Sequence, residues 1–331
     1  MNALVTGGGG FLGRSIVDQL LRLGETVTVV ARGEYPDLAA SGVRCVRGDV
    51  ADRDAMLEAV SGQDVVFHAA GKAGYWGPAS EFARVNVQGT QTVIQACRER
   101  SVPRLVFTSS PSVVFDGRAH EDAANTLAYP DRYECAYPET KSRAERLVLA
   151  ANGEGLATIA LRPHLIYGPR DPHLLPRVLE RARRRRLTVV GDGRNAVSLT
   201  YVENAAAAHV QAAARLRPGA ACAGRAYFVN DPEPVRLWEW LARLLARLGL
   251  PPISGRVPLG LARAAGAAFE SLWNALRLPG EPPMTRFVAS QLALSHWYSL
   301  RPAREDFGYA PPIAPEDAFE RTVGWWRERL R

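Results

Sequence analysis

The chain has 331 residues, of which 47% are hydrophobic and 23% are charged, and it carries a formal net charge of +7. This composition excludes disordered, collagen-like and coiled-coil proteins, and the length predicts either one large domain or two fused ones. No apolar run is long enough to span a membrane and the segment from Met1 to Gly10 lacks the order of a signal peptide, which together predict a cytoplasmic protein.

The first half of the chain alternates between short β-rich runs and segments with apolar residues at helical spacing. The expected elements are, in chain order, a strand at 3–6, a helix at 11–23, strands at 26–31 and 43–46, a helix at 52–60, a strand at 65–68, a helix at 81–100, a strand at 105–108, a helix at 137–152 and a strand at 157–161. Strands that alternate with helices form parallel sheets with right-handed crossovers and helices on both faces. The sequence therefore predicts an α/β fold with a doubly wound parallel sheet of the Rossmann type.

The pattern changes after Arg162, where four prolines interrupt it and an arginine-rich helix is expected at 176–186. Sheet-like segments return at 197–202 and 226–229, and the rest of the chain is helical and rich in tryptophan. We expect two domains. The nucleotide-binding domain covers 1–167, with its sheet completed by about 197–230, and a smaller, mostly helical substrate-binding domain covers 168–196 and 231–331.

A glycine-rich turn, TGGGGFLG from Thr6, connects the first predicted strand with the first helix. At such a place Gly7 allows a tight turn, Gly10 lets the backbone approach a pyrophosphate, and Gly13 allows close packing of the helix on the sheet. The free N–H groups at the helix N-terminus attract the anion. The context predicts a dinucleotide site rather than a flexible turn.

The end of the second predicted strand indicates which dinucleotide binds. NAD-specific proteins usually have an acidic residue there for the ribose 2′-hydroxyl, whereas this chain has Ala31 followed by Arg32. A guanidinium suits a 2′-phosphate, so we expect NADP(H), although Glu34 is a contrary observation and Arg32 as a plain surface arginine stays open. Asp49, after the third strand, is a candidate acceptor for the adenine amino group or a helix cap without a ligand.

Tyr137 and Lys141 stand four residues apart on a predicted helix, which puts the phenol and the ammonium on one face. A phenol with its ordinary pKa near 10 relays protons poorly at neutral pH, and we expect the adjacent ammonium to lower that pKa. Of the 41 basic residues only Lys72 and Lys141 are lysines, which favours roles that arginine cannot fill. The spacing is weak evidence alone and becomes specific next to a nucleotide site.

Several short motifs between the predicted elements form a series that covers nearly the whole chain. They are TGGGGFLG at Thr6, Gly48-Asp49-Val50, His68-Ala69-Ala70-Gly71, Asn86-Val87-Gln88-Gly89-Thr90, Thr108-Ser109-Ser110, Tyr137 with Lys141, and Leu161-Arg162-Pro163 followed by Tyr167-Gly168-Pro169. The series resembles the extended short-chain dehydrogenase/reductases. The resemblance implies an enzyme in which Tyr137 is the general acid/base.

The same resemblance implies that Lys141 binds the nicotinamide ribose and tunes the phenol. It gives Ser110 the hydrogen bond to the substrate carbonyl, with Ser109 or Ser112 as alternatives. The implied cofactor contacts are Gly7, Gly10, Phe11, Leu12, Gly13, Arg32, Asp49, Val50, Ala69, Ala70, Lys72, Thr108, Tyr137, Lys141, Pro163 and Ile166.

Other polar residues near the motifs have open interpretations. Lys72 lies in a loop that, by the resemblance, passes beside cofactor and substrate, where it contacts the nicotinamide-side phosphate or ribose, binds a negative charge of the substrate, or is simply solvated. Asn86 either supports the active site or caps local backbone, and His68 is expected to be structural. The histidines and the four separated cysteines have no ligand spacing, so we expect no metal and buried, reduced thiols.

Segments such as GKAGYWG from Gly71 and GEPPMTRF from Gly280 are similar to the 3β-hydroxysteroid dehydrogenase-like branch. The likeness implies NADPH-dependent reduction of long-chain 2-alkyl-3-oxoalkanoic acids to 2-alkyl-3-hydroxyalkanoic acids in olefin biosynthesis. Lys72 and Arg286 are candidates for the substrate carboxylate. The candidates for an apolar pocket, which core packing also explains, are Leu259, Leu261, Phe269, Leu272, Trp273, Leu276, Phe287 and Trp297.

Family likeness also implies a homodimer through the helices near Asn86 and Tyr137, and it raises an assembly with neighbouring pathway enzymes. The positive charges are spread along the chain, so we expect no nucleic-acid partner. Three alternatives stay open: a sterol or 3β-hydroxysteroid dehydrogenase working with NAD, a nucleotide-sugar epimerase or dehydratase, and a non-catalytic NADP-sensing protein. The arginine after the second strand argues against the first, the apolar last third against the second, and the intact catalytic residues against the third.

Overall fold

The computed structural model describes residues 1–153 and 155–330, and strands occur throughout this range. In chain order they are β1 (Asn2–Thr6), β2 (Thr26–Ala31), β3 (Arg44–Arg47), β4 (Val65–His68), β5 (Arg104–Thr108), β6 (His120–Ala123), β7 (Ala157–Pro163), β8 (Ile166–Tyr167), β9 (Val189–Val190), β10 (Ala196–Val197), β11 (Thr200–Tyr201), β12 (Arg225–Val229), β13 (Val235–Arg236), β14 (Arg256–Val257) and β15 (His296–Tyr298).

Helices connect and cover these strands. They are α1 (Phe11–Arg22), α2 (Pro36–Ala40), α3 (Arg53–Val60), α4 (Ala79–Phe82), a π-helical segment (Ala83–Gln88), α5 (Gly89–Glu99), a 3-10 turn (Pro111–Val114), α6 (Ala136–Ala150), α7 (Leu174–Arg183), α8 (Val202–Arg215), α9 (Leu237–Arg247), α10 (Leu259–Leu276), α11 (Arg286–Ala293), α12 (Arg301–Phe307) and α13 (Pro315–Leu330).

Seven strands form one sheet in the order β12-β7-β5-β4-β1-β2-β3, and every neighbouring pair is parallel. Both faces of the sheet are covered, as the side chains of β1 illustrate. Ala3 and Val5 pack with α1 and α8 on one face, while Leu4 packs with α3, α5 and α6 on the other. The predicted doubly wound parallel sheet is confirmed.

The strand order reverses between β1 and β4, which lie side by side in the middle of the sheet. Chain connections leave these two strands in opposite directions, so a crevice opens beyond their carboxyl ends. The glycine-rich turn follows β1 and the segment from Ala69 follows β4. The fold therefore brings two of the predicted cofactor segments to one crevice.

A second apolar core lies among β8 to β11 and the later helices. It contains buried residues of α7, α9, α10, α11 and α13, including Leu175, Leu241 and Phe319. A small sheet in the order β13-β10-β15-β6 accompanies it. This second core is in line with a smaller substrate-binding unit, whose boundaries stay a prediction.

Some sequence expectations are wrong in detail. The segment expected to be sheet-like at 197–202 gives two short strands, and α8, which follows at once and packs on the main sheet, was not predicted. The arginine-rich helix covers Leu174–Arg183 rather than 176–186, because Arg185 adopts a left-handed backbone with φ of 55°. Cys97 and Cys222 are buried as expected, whereas Cys45 is exposed.

Candidate active site

The glycine-rich turn comes close to neighbouring backbone at the carboxyl end of β1. Gly7 has a φ of 70°, and a Cβ atom there would lie 2.9 Å from the Cα of Ala70. A Cβ atom on Gly13 would lie 2.2 Å from the Gly7 carbonyl oxygen. Gly10 is the N-cap of α1, which starts at Phe11 and buries Leu12. This cradle, which side chains would fill, fits the pyrophosphate of a dinucleotide.

Asp49 is held by neighbouring groups at the predicted adenosine end. Its carboxylate accepts the Ala51 N–H at 3.0 Å and lies 3.0 Å from the Arg84 guanidinium. Burial opposes ionisation, but these two contacts and the charge of Arg32 lower the pKa of Asp49. The N-cap of α3 is Asp52, whose side chain accepts from the Asp54 and Ala55 N–H groups, so the expectation that Asp49 caps the helix is wrong. Val50 beside Asp49 is buried. Arg32 lies close enough to Asp49 for its charge to lower the pKa of that carboxyl, as expected of two residues at one end of the sheet.

Two residues at this end were missed by the sequence interpretation. Arg47 lies opposite Ala31 in the strand register, and its guanidinium is 3.2 Å from the Glu34 carboxylate. Glu34, the contrary observation for NADP(H), therefore has a cationic partner. A Cβ atom on Gly9 would lie 1.9 Å from Cζ of Tyr35, so this ring rests on the glycine-rich turn. The strand register places Arg47 at the end of β2, so its contact with Glu34 could be found from the strand pairing. No sequence signal indicated that Tyr35 packs on Gly9.

The catalytic candidates meet where β5 ends and α6 begins. The Ser110 side chain lies close enough to the Tyr137 phenol to affect its pKa, and the Ser112 hydroxyl donates to Ser110 Oγ at 3.0 Å. The Lys141 ammonium donates to the Thr108 carbonyl at 2.5 Å. The structure thus brings together Ser110, Tyr137 and Lys141, with Ser112 in a supporting position.

Ser109 points elsewhere, toward the buried carboxylate of Glu145. Ser109 lies close enough to Glu145 to contribute to the lowered pKa of that carboxyl, which burial opposes, but the buried Ser109 hydroxyl has no hydrogen-bond partner among the described residues. Of the three serines considered, Ser110 is the one that contacts the phenol. This geometry favours Ser110 over its two alternatives.

Burial controls the ionisation of the two central groups. Burial raises the pKa of the Tyr137 phenol even though the neighbouring Ser110 hydroxyl lowers it. Burial also lowers the pKa of Lys141 to about 7, an effect that the Glu145 carboxylate opposes. Desolvation thus dominates the pKa of the phenol in this structure, and the ammonium is directed to the Thr108 carbonyl. The tuning of the phenol by Lys141 stays a prediction.

A buried ion pair underlies the catalytic helix and was not predicted. Arg162 of β7 donates to Glu145 of α6 through two hydrogen bonds of 2.9 and 2.6 Å. The Tyr129 hydroxyl donates to the same carboxylate at 2.6 Å. Glu145 lies one helical turn after Lys141, so the pair fixes α6 against the sheet directly below the ammonium.

Asn86 connects the loop after β4 with α6. Its side-chain oxygen accepts the Lys72 N–H at 2.8 Å, and its amide donates to the Lys72 carbonyl at 3.2 Å and to Thr140 Oγ1 at 3.1 Å. The side chain is almost fully buried. The Lys72 ammonium itself turns outward to Glu81 at 2.8 Å. These contacts favour the supporting interpretation of Asn86 over simple local capping.

The remaining nicotinamide-side candidates lie at the carboxyl ends of central strands. Thr6 Oγ1 accepts the Ala70 N–H at 3.2 Å, and the same hydroxyl lies 2.8 Å from Nδ1 of His68. Burial lowers the pKa of His68 to about 3, so it is neutral and structural, as expected. Ala69 follows the same strand, Pro163 ends β7, and Ile166 begins β8.

An aromatic wall stands over the phenol. The Tyr75 ring centroid lies 6.1 Å from that of Tyr137 and 4.9 Å from that of Phe287, which in turn contacts Phe115 at 5.7 Å. Phe287 therefore packs behind Tyr75 and is 3% exposed, and its place in a substrate pocket stays a prediction. The guanidinium of Arg286 points instead to Glu270, at 2.8 Å.

Three other pocket candidates do not line the site. Leu261, Leu272 and Leu276 lie on the outer surface of α10, so the expectation that they form an apolar pocket is wrong. The helical spacing of these residues indicated one face correctly, but it could not show which side that face covers. Within the described ranges, no three His, Cys, Asp or Glu residues are grouped so that they could hold a metal ion.

Residues 4–259 match the profile of the 3-beta hydroxysteroid dehydrogenase/isomerase family. The chain belongs to this family. It is accordingly an oxidoreductase of the extended short-chain type that uses a nicotinamide cofactor, and the glycine-rich cradle together with the Tyr137 and Lys141 pair fits such a group.

Curated relatives match over almost the whole chain. The 2-alkyl-3-oxoalkanoate reductase of Stenotrophomonas maltophilia is 48% identical, with 97% of this chain and 98% of that protein covered. The reductase of the same name from Shewanella oneidensis is 43% identical over 97% of this chain and 85% of its own length. The mouse sterol-4-alpha-carboxylate 3-dehydrogenase, decarboxylating, is 36% identical over 96% of this chain and 89% of that protein.

Solved structures support the fold. MoeE5 in complex with UDP-glucose and NAD superposes with a TM-score of 0.75 at 25% identity, covering all of both chains. The crystal structure of gox2253 gives a TM-score of 0.77 at 24% identity, covering 99% of this chain and 98% of the other.

Proposed function

We propose that this protein reduces long-chain 2-alkyl-3-oxoalkanoic acids to 2-alkyl-3-hydroxyalkanoic acids with NADPH. The observation that carries the proposal is that Ser110 lies close enough to the Tyr137 phenol to lower its pKa, on the helix that buries the ammonium of Lys141, in a chain 48% identical to a 2-alkyl-3-oxoalkanoate reductase. The aromatic wall of Tyr75 and Phe287 over this group suits an apolar substrate.

The names of the relatives share a chemical relation. In a 2-alkyl-3-oxoalkanoate the carboxylate is on the carbon next to the carbonyl carbon, and in a sterol-4-carboxylate it is on the carbon next to C3. Both names describe an oxygen function β to a carboxylate on an apolar skeleton. This relation supports a β-keto acid as the substrate class of the present chain. It also makes a sterol carboxylate the second candidate, with the 36% identity as its support.

Ser110, Tyr137 and Lys141 each perform one part of the reaction. Ser110 donates a hydrogen bond to the C3 carbonyl oxygen, and Tyr137 delivers a proton to that oxygen as it becomes a hydroxyl. When bound, the reduced nicotinamide supplies the hydride that C3 accepts. Lys141 then stabilises the phenolate that remains, since a cation near a buried phenolate lowers the cost of its charge.

The cofactor is held, in this proposal, by the predicted residues at the crevice. Arg32 binds the 2′-phosphate with Arg47 nearby, Asp49 and Val50 face the adenine, and the glycine-rich turn holds the pyrophosphate. The nicotinamide side is formed by Ala69, Ala70, Thr108, Tyr137, Lys141, Pro163 and Ile166, with the backbone of Lys72 beside them.

The NADPH preference has a direct test. Arg32→Ala removes a charge-assisted contact, so we expect the KM for NADPH to rise between about tenfold and a hundredfold while the KM for NADH stays unchanged. An equal change for both cofactors would mean that Arg32 does not bind the 2′-phosphate.

The substrate carboxylate is assigned to Lys72 rather than Arg286. The guanidinium of Arg286 and its backbone N–H are both bonded to Glu270, whereas the Lys72 ammonium has one exposed partner and a backbone fixed by Asn86 beside the site. We expect Lys72→Met to raise the KM for the keto acid about tenfold with little change in kcat. An unchanged KM would refute the assignment.

The overall reaction is tested by following the absorbance of NADPH with the purified protein and a long-chain 2-alkyl-3-keto acid. Tyr137→Phe should lower kcat at least about a hundredfold because it removes the proton donor. Tyr133→Phe is the matched control, since the Tyr133 hydroxyl donates to the Val113 carbonyl outside the site. No turnover of the keto acid in either direction, with turnover of a 3-hydroxysterol carboxylate instead, would replace this proposal with the second candidate.

We further infer a cytoplasmic homodimer that acts in olefin biosynthesis next to enzymes handling the unstable β-keto acid. The support for a dimer is a groove on the outer faces of α5 and α6, the helices expected at the interface. It is lined by Val87, Gln91, Arg143, Arg146, Leu147 and Ala150. Equilibrium sedimentation of the full chain tests the dimer, and a monomer would refute it.

A further inference from the structure

The ammonium of Lys141 lies over the face of the Phe107 ring. The distance between Nζ and the ring centroid is 4.0 Å. A cation within about 6 Å of a ring centroid is attracted by the negative face of the ring, and the attraction grows when water is excluded. The Phe107 side chain, on β5, is completely buried, and Lys141 is nearly so. The ring is therefore an electrostatic partner of the ammonium as well as a part of the core.

The ammonium has few other partners. The Thr108 carbonyl is the one acceptor that hydrogen-bonds to it in the part of the chain that the structure describes. The Glu145 carboxylate attracts the ammonium, but the Arg162 guanidinium lies 2.6 Å from that carboxylate and offsets part of the attraction. Burial of an ammonium with so little compensation favours the neutral amine, and burial lowers the pKa of Lys141 accordingly. The ring face is thus one of the few groups that stabilise the positive charge.

Two further titratable groups lie near the ammonium, and both are neutral. The His68 ring, on β4, lies 5.5 Å from the Phe107 ring, and two threonine hydroxyls lie within hydrogen-bond distance of its nitrogens. Burial lowers the pKa of His68 to about 3, and the charge of Lys141 lowers it as well. Burial also raises the pKa of the Tyr137 phenol, on α6. Near neutral pH neither group adds a charge beside the ring.

We propose that Phe107 is a positioning residue that holds Lys141 as an ammonium beside Tyr137. A ring face attracts the ammonium without fixing it in one strong, directed hydrogen bond, as a buried carboxylate would. The ammonium then keeps N–H donors for the Thr108 carbonyl and for a bound cofactor. The consequence for the reduction rests on the proposed function, whereas the effect of the ring on the charge of Lys141 does not.

The test uses the scarcity of lysine in this chain. Lys72 and Lys141 are its only lysines, so lysine labelled with ¹³C at Cε gives two signals in a nuclear magnetic resonance spectrum. Lys72→Arg removes one signal and assigns the other to Lys141. The chemical shift of that signal against pH gives the protonation midpoint of Lys141 in the full-length protein, without cofactor or substrate. In this background Phe107→Leu should lower the midpoint by about 0.5 to 1.5 pH units.

Phe67→Leu is the matched control. Phe67 is also completely buried and lies in the adjacent strand β4, but its side chain packs on the opposite face of the sheet, with α1 and α8. The same loss of core volume there does not touch the ammonium, so the midpoint of Lys141 should stay unchanged. Phe107→Met, which fills the space of the ring more closely, should lower the midpoint as Phe107→Leu does and replaces that variant if it does not fold.

Two results of the titration would overturn the proposal. An unchanged midpoint without the Phe107 ring, or an equal lowering in Phe67→Leu, would leave Phe107 as core packing alone. In the reductase assay, the pH at which kcat falls on the basic side should move down by the same interval in Phe107→Leu. The expected titration without any reduction of the keto acid would support this inference and refute the proposed function. Reduction with an unmoved titration would do the reverse.

Discussion

Loss of the negative charge of Glu145 should destabilise the fold strongly. Both Glu145 and Arg162 are almost completely buried, and the two hydrogen bonds between them are the main compensation for the guanidinium charge. Glu145→Gln keeps the size of the side chain and leaves a buried, unpaired cation, close to the ammonium of Lys141. Breaking a buried pair in this way costs about 3 to 5 kcal/mol, which is a large part of the total stability of most proteins.

Urea unfolding followed by far-ultraviolet circular dichroism measures this loss. Glu305→Gln is the control, since its ion pair with Arg301 is largely exposed and its removal should leave the unfolding midpoint unchanged. The double variant Glu145→Leu with Arg162→Met should recover stability relative to Glu145→Gln, because it removes both buried charges. If Glu145→Gln were as stable as Glu305→Gln, the reasoning about an uncompensated buried charge would be refuted.

Two further effects follow from the site. Burial lowers the pKa of Lys141 from its ordinary 10.5 to about 7. Between these pH values the unfolded chain holds a proton that the folded chain does not. The free energy of unfolding should therefore rise with pH, by at most about 1.4 kcal/mol per pH unit, when it is compared with that of Lys141→Met. Parallel pH curves for the two proteins in urea melts would contradict this. Gly13→Ala should lower the free energy of unfolding by about 1 to 3 kcal/mol and weaken cofactor binding, because its Cβ would lie 2.2 Å from the Gly7 carbonyl oxygen. Gly324→Ala, in the open middle of α13, should raise the free energy of unfolding by about 0.5 to 1 kcal/mol in the same melts. A Gly13→Ala protein with unchanged stability and cofactor affinity would show that the turn can widen.

Local patterns were sufficient to predict the main sheet and the central residues of the site. The alternation of strand and helix periods specifies a parallel sheet, and parallel strands place their carboxyl ends at one edge. The position of Ser110 next to Tyr137 follows from this rule, since one residue ends a strand and the other opens the helix that returns over it. The roles of these residues stay predictions until the variants are measured.

Features that depend on pairing across the chain could not be predicted. Arg162 lies in an apolar strand where no local signal shows that it is buried against Glu145. The alanine-rich α8 has little contrast between polar and apolar positions, so periodicity gives no helical signal there. The face of α10 is clear from spacing, but whether Leu261 turns inward or outward depends on which partners Arg263 finds. In each case the outcome is decided by tertiary contacts.

The π-helical segment at Ala83–Gln88 makes the protein sensitive to the number of residues at this point of the chain. A π-helical turn accommodates about one residue more than an α-helical turn, and each residue of an α-helix turns the chain by about 100°. Removal of Ala83, Arg84 or Val85 would rotate Asn86 relative to the preceding helix and away from the Lys72 backbone, while leaving the motif that begins at Asn86 intact. At this segment the protein is therefore less tolerant of a deletion than of many substitutions, and related chains that lack the extra residue must position the loop after β4 by other means.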